Sequence, residues 1–301
     1  MPIEIAVVGS ANLDLVVDVA QVPLIGETVL GGDLRKVPGG KGANQAVAAA
    51  RLGRNVAMIG RLGDDDAGAT LRSAMEADGI DTTLTFTTDG VPNGVALIAV
   101  QADGDNSIVV SPGANAHVTV DDIHLAEAAL AEAAVTLLQL EIPSGSVIEA
   151  ARLAGGIVVL NPAPAPLEGV SPDLLSLVDV LVPNQTELAT LAHFDGPVDA
   201  SSAVDLALAM PCQAVVVTLG ADGALVIDGH TVEHVAAPVV EPIDTTAAGD
   251  SFCGALADSL VRGSDLVEAA RWAVRVGAAT TLRAGAQTSL PTAVEVEQRL
   301  R

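Results

Sequence analysis

Short runs of Val, Ile and Leu recur along the chain, separated by longer Ala-rich stretches with a helical period. The runs at 3–9, 56–60, 135–140, 157–161, 178–183, 214–219 and 224–227 are apolar at consecutive positions. That pattern suits strands covered on both faces, as in a parallel sheet. The amphipathic stretches at 42–52, 67–78, 120–134, 144–154, 185–192, 202–210, 248–261 and 265–283 read as helices. Strand–helix alternation implies right-handed βαβ units. The expected class is α/β, a doubly wound, mostly parallel sheet flanked by helices.

Two segments break the rhythm. Residues 13–19 and 28–30 are separated by Pro23-Leu24-Ile25-Gly26, a hairpin pattern. Residues 95–100 and 107–111 flank a polar turn at 101–106, with Asp103-Gly104 at its tip. Four short strands without helices predict a small inserted β-sheet, placed to cover the ends of the main sheet as a lid. The expected division is a core of 1–11, 37–92 and 112–301 and a lid of 12–36 and 93–111.

Composition narrows the function. The 301 residues carry 14 Lys and Arg against 38 Asp and Glu, a formal charge of −24. Binding to nucleic-acid backbone or anionic lipid needs the opposite balance, so neither is expected. Half the residues are apolar, which excludes a disordered chain. Aromatics are 1%, so the core must be aliphatic and no stacking platform for single strands exists. The acidity reads as genomic base composition rather than salt adaptation, since net charge speaks to solubility and not to fold. Cys212 and Cys253 lack a CxxC partner, and no apolar stretch reaches the ~20 residues of a membrane span. The opening residues read as a first strand and not a leader, so a soluble, cytoplasmic protein is expected.

Four segments carry candidate chemistry. Gly39-Gly40-Lys41-Gly42-Ala43-Asn44-Gln45 lacks the spacing of a P-loop, and no GxGxxG opens the first strand. What remains is a glycine cluster entering a helix, either a plain turn or a place of close ligand approach. Asp244-Thr245-Thr246-Ala247-Ala248-Gly249-Asp250 runs into a helix start. The N–H groups of Ala247, Ala248 and Gly249 would converge there as an anion hole suited to a phosphoryl group. Asp250, in the first turn, is placed to take a proton from an attacking hydroxyl. Asn184 and Glu187 follow a buried strand, where they either cap a helix or hold a hydrated magnesium ion. Thr218-Leu219-Gly220, also at a strand end, either touches phosphates or forms an ordinary turn. Asn12, Asp14 and Glu141 stand at strand ends and suit a polyhydroxylated ligand, or else cap and turn roles. The five histidines carry no metal spacing, and Asp64-Asp65-Asp66 reads as a solvated loop and cap.

Taken together, these segments resemble the ribokinase-like (pfkB) family of carbohydrate and nucleoside kinases. The likeness runs in order along the whole chain: Asn12-Leu13-Asp14, the Gly39–Gln45 segment, Gly60–Gly63 with Asp64-Asp65, Asn184–Glu187, Thr218–Gly220, Asp244–Asp250 and Gly285-Ala286-Gln287. Within the family it is most similar to the branch that phosphorylates ribose. The resemblance implies ATP-dependent phosphorylation of the 5-hydroxyl of D-ribose, with Asp250 as base. It implies that Asn12, Asp14, Gly40, Lys41, Asn44 and Glu141 hold the sugar, that Asn184, Thr218 and Gly220 face ATP, and that Glu187 orders Mg²⁺ through water. It implies a monovalent cation, usually K⁺, as activator near Asp244 and Thr246, with Thr280, Arg283, Gly285 and Ser289 across from them. It also implies a homodimer joined through the lid. A nucleoside or other sugar kinase of the same fold, or a non-catalytic sugar-binding regulator, are the alternatives.

Overall fold

The computed structural model describes residues 2–101, 106–229 and 231–301. Nine strands form the main sheet: β1 (Ile5–Val8), β4 (Val56–Gly63), β5 (Thr85–Thr88), β8 (Val135–Leu138), β9 (Ile157–Leu160), β10 (Val180–Leu181), β11 (Ala214–Thr218), β12 (Ala224–Asp228) and β13 (Thr231–Val235). Their order is β13-β12-β11-β10-β9-β8-β1-β4-β5. Every neighbouring pair is parallel except β11–β12 and β12–β13. From β1 the chain first winds outward through β4 and β5, then returns to β8 and winds the other way. The reversal falls between β1 and β8, the place where ligands gather in such sheets.

Alternation within a strand divides the core. Ile5 and Val7 pack on one face, Ala6 and Val8 on the other, and all four are fully buried. The first face is covered by helices Lys41–Arg51, Ala248–Val261 and Leu266–Thr281. Their contact surfaces are mostly alanine, which lets helices approach closely and explains how a core with 1% aromatics closes. The lone tryptophan, Trp272, stands at the edge of this face. Its indole N–H donates to Asp258 at 2.8 Å, and Arg262 lies 5.4 Å above its ring.

The second sheet has the order β3-β2-β6-β7, from β3 (Arg35–Gly39), β2 (Asn12–Val19), β6 (Gly94–Gln101) and β7 (Asn106–Ser111). The expected strand at 28–30 does not form. β2 instead pairs with Arg35–Gly39, so the small sheet runs on to Gly39, beyond residue 36. Register explains the choice: pairing Asn12 with Gly39 sets the Asp14 carboxyl beside Gly39, where a Cβ would lie 2.2 Å from Asp14 Oδ2. The 95–100 and 107–111 strands pair antiparallel as expected, while Asp103-Gly104 lies outside the described residues. The stretch 120–134 is two helices, Val120–Leu125 and Glu127–Glu132, broken at Ala126.

Candidate active site

Asp250 lies in the first turn of helix Ala248–Val261, 8% exposed. Asn44 Nδ2 donates to its Oδ2 at 2.9 Å and Gln45 Nε2 to its Oδ1 at 3.2 Å. Gln45 also accepts from Gln139 Nε2 at 2.7 Å and donates to Asn161 at 3.3 Å. The carboxylate is thus fixed by two amides from helix Lys41–Arg51, of which Gln45 is itself braced from strand ends. Two glycines permit this. Gly40 begins the helix at φ +90°, and a Cβ at Gly42 would lie 2.7 Å from the Ser10 backbone nitrogen. The glycine cluster is therefore more than a turn: it seats the helix against the end of β1.

Ala247 takes a left-handed conformation at φ 59° and opens the backbone just before Asp250. Of the three expected donors, Ala248 is corrected: its N–H closes a turn onto the Thr245 carbonyl at 3.2 Å. The left-handed kink at Ala247 forces that turn. The N–H groups of Ala247 and Gly249 find no acceptor among the described residues. A cavity of about 140 Å³ opens in front of them, walled by Lys41, Asn184, Glu187, Thr218, Gly249 and Asp250. Burial works against the Lys41 ammonium, yet the Asp250, Glu141 and Glu187 carboxylates around it hold its pKa above the ordinary value. Cys253 lies at the cavity floor; burial, with Asp250 and Glu187 nearby, keeps its thiol protonated.

Asn12, Asp14 and Glu141 stand on the lid side of Lys41. Glu141 accepts from the Ser10 hydroxyl and, at 3.1 Å, from the Lys41 backbone N–H. Asn115 Nδ2 donates to Asn12 Oδ1 at 2.7 Å, and Asn115 Oδ1 accepts from Ala11 N–H at 3.0 Å. This leaves the Asn12 amide N–H groups, and both oxygens of Asp14, without a partner among the described residues. Burial first, then the charges of Glu141 and Asp250, push the Asp14 pKa up to about 7.

Asn184 and Glu187 form a capping box: Asn184 N–H donates to Glu187 Oε2 at 2.9 Å, and Glu187 N–H to Asn184 Oδ1 at 2.8 Å. The capping role is real, but it leaves Glu187 Oε1 open in the cavity wall. Burial raises the Glu187 pKa, with the Asp250 charge adding to it, so a cation would be welcome beside it. Thr218 also borders a second cavity of about 430 Å³ that continues past Gly220, Thr245 and Gly249 to Val240, Val274 and Ala278.

Asp244 joins two loops. Its Oδ1 accepts from Thr246 N–H at 2.9 Å and its Oδ2 from Gly285 N–H at 2.8 Å. Burial alone would raise its pKa, but these bonds outweigh it and hold the carboxyl below its ordinary value. The carbonyls of Thr246, Arg283 and Gly285 meet no donor among the described residues. Thr280 spends its hydroxyl on Val276 O and Ser251 Oγ, and Ser289 spends its own on Ala286 O. Two arginines brace this loop from behind. Arg51 Nη1 donates to the Gln287 and Leu290 carbonyls, and Arg299 Nη1 to those of Ala279 and Ser289.

Sequence reasoning did not single out Ser10, Asn115, Gln139 or Asn161, and it quoted Gln45 only as part of a motif, with no role. Ser10 and Asn161 follow strand ends, the same signal that marks Glu141 and Asn184. Asn115 has no such signal, since only the fold brings it to Asn12.

Comparison with known proteins gives a consistent result. The family described as pfkB family carbohydrate kinase matches residues 2–293. A ribokinase of Haemophilus influenzae is 40% identical over 297 residues, covering 97% of this chain and 96% of the relative. A deoxyribokinase of Salmonella typhi is 37% identical, covering 99% and 98%. The structure of Arabidopsis thaliana ribokinase complexed with ribose and ATP superposes with a TM-score of 0.89, at 30% identity, over 100% of this chain and 99% of that one.

Proposed function

The chain belongs to the pfkB family of carbohydrate kinases, and on that premise we propose that it transfers the γ-phosphoryl group of ATP to the 5-hydroxyl of D-ribose. The observation that carries the mechanism is the setting of Asp250. It is buried, fixed by two amides, and stands between the polar cluster of Asn12, Asp14 and Glu141 and the two open N–H groups of Ala247 and Gly249. Asn12, Asp14, Gly40, Lys41, Asn44 and Glu141 orient the sugar. Asp250 accepts the proton of the 5-hydroxyl as its oxygen bonds to phosphorus and the bond to ADP breaks. Charge on the transferring group is met by Lys41, by the Ala247 and Gly249 N–H groups and by the dipole of helix Ala248–Val261. With two lysines in the chain, positioning and backbone donors carry most of that load.

Thr218 and Gly220 lead from the phosphates into the larger cavity, which takes the base and ribose of ATP. Glu187 and Asn184 fit a hydrated Mg²⁺, since one carboxylate oxygen stays open in a wall where burial calls for a counter-charge. Bound there, Mg²⁺ would supply charge neutralisation to the phosphates. Asp244, Thr246, Arg283 and Gly285 fit a monovalent cation, with an ionised carboxylate beside carbonyls that lack donors. Thr280 and Ser289 would contribute through whatever acceptor capacity their internal bonds leave.

The small sheet is a lid and a dimer contact in this reading. Leu97 and Val109 are exposed on one face, Ile108 and Val110 on the face shared with Asp14. A single-layer sheet apolar on both sides is incomplete alone. A cytoplasmic setting agrees with two free cysteines. No helix among the described residues is long and apolar enough to cross a membrane.

The test is ADP release from ATP and Mg²⁺ with D-ribose, 2-deoxyribose, fructose or adenosine, each with and without K⁺. Potassium-stimulated turnover preferring D-ribose is expected. Turnover confined to another acceptor would overturn the substrate assignment.

A further inference from the structure

The larger cavity is unlike the rest of the site in being almost wholly apolar at its deep end. Ala237, Val240, Val274, Ala278 and Phe252 form its walls. Only three polar side chains border it among the described residues: Thr218, Thr245 and Thr281. Thr218 and Thr245 lie toward the phosphoryl end, one shared with the smaller cavity and the other two residues before Ala247. Thr281, at the deep end, is already committed. Its hydroxyl donates to the Ala278 carbonyl at 2.8 Å, and its own carbonyl accepts from the Ile243 and Asp244 N–H groups at 2.8 and 3.2 Å. The rim segment contains Pro238 and Pro242, which bring no N–H, and Val239 points fully into solvent.

Resting on the proposed function, which seats the nucleotide base in this cavity, we propose that the chain uses purine nucleoside triphosphates as a class. The cavity grips a purine by shape and apolar contact, and no side chain at its deep end is free to read the base edge. Adenine, guanine and hypoxanthine differ only in the donors and acceptors along that edge. A site built to hydrogen-bond such groups rejects the wrong partner by about 10⁴–10⁵, because its own polar atoms are left unpaired; an apolar pocket discriminates by only about 10–200-fold. With the edge groups left facing water at an open rim, no purine loses a bond that another gains. Donor choice in the cell would then follow nucleotide abundance, not recognition.

The experiment measures Kd for ADP, GDP and IDP by calorimetry, and kcat/KM for ATP, GTP and ITP with D-ribose. All three purines are expected within about 200-fold of one another in both measurements. A wider gap between any two overturns the proposal. If no triphosphate supports turnover, the catalytic reading falls while the diphosphate affinities still decide this one, and failure of all three diphosphates to bind overturns it. Gly277→Leu places a side chain in the cavity, since a Cβ there meets nothing nearer than the Ala248 carbonyl at 3.6 Å. That variant should weaken all three diphosphates by the same factor. Unequal losses, or none, would show that the base is read elsewhere.

Discussion

Two carboxylates in one small region are held in opposite ways. Asp250 receives two amide donors, whereas Asp14 receives none and is pushed up to about 7 by burial, Glu141 and Asp250. Replacing Asp250 with Asn keeps the shape and removes the base, so kcat should fall by about 10²–10⁴ while the fold survives. Near-normal turnover in that variant would take Asp250 out of the role. Asp14 predicts a pH effect. Its folded pKa lies above the unfolded one, so the folded chain holds a proton that the unfolded chain releases. Stability should fall as pH rises from the ordinary carboxylate range to about 7 and level off above it. Ribose hydroxyls donate best to the ionised form, so KM for ribose should drop over pH 6 to 8. Asp14→Asn should flatten both profiles; profiles that keep their slope would assign the titration to another group.

Among the elements, helix Ala248–Val261 begins where its sequence says it should, because small residues entering an apolar repeat leave no competing start. The interior strands were equally legible, since a strand covered on both faces must be apolar throughout. β5 and β13 were not: each is an edge strand, paired on one side only, and Thr85–Thr88 needs no apolar run. The hairpin expected at 28–30 failed for a related reason, since β2 found its partner through the Asp14–Gly39 fit, which no hydropathy pattern encodes. Site residues at strand ends could be read from the chain, but Asn115, which orients Asn12, is 103 residues from it in sequence and carries no motif. The loop at 279–290 adds an element-scale prediction. Arg299→Ala strips the donor from two carbonyls, at about 1–3 kcal/mol each where they stay buried. Urea denaturation should show that loss, with part of it restored in Arg299→Lys; equal stability in all three proteins would mean water replaces the guanidinium.

At the scale of the whole molecule, the residues proposed to hold the sugar precede β9, Asp250 excepted, while those proposed to face ATP follow it. Asp250 belongs to the later half but is held by Asn44 and Gln45 of the earlier one, so the base is set only when both halves are folded together. The small sheet leaves Leu97, Ile108, Val109 and Val110 exposed. Val109→Glu places a charge on the face turned away from Asp14, and analytical ultracentrifugation should then find a monomer where the unaltered chain gives a dimer. A monomer in both would return the lid to a purely intramolecular cover.

Trp272 turns this architecture into an instrument. The chain holds one tryptophan and no tyrosine, so its near-ultraviolet emission comes from a single place. That place is helix Leu266–Thr281, which also supplies Val274, Gly277 and Ala278 to the larger cavity, while the indole itself is tied to Asp258 in the helix that carries Asp250. The fluorophore is therefore hydrogen-bonded directly to the helix that carries Asp250 and sits on the helix that lines the larger cavity. Nucleotide titrations, stopped-flow binding and unfolding can all be followed on the unlabelled protein, with no second emitter to subtract.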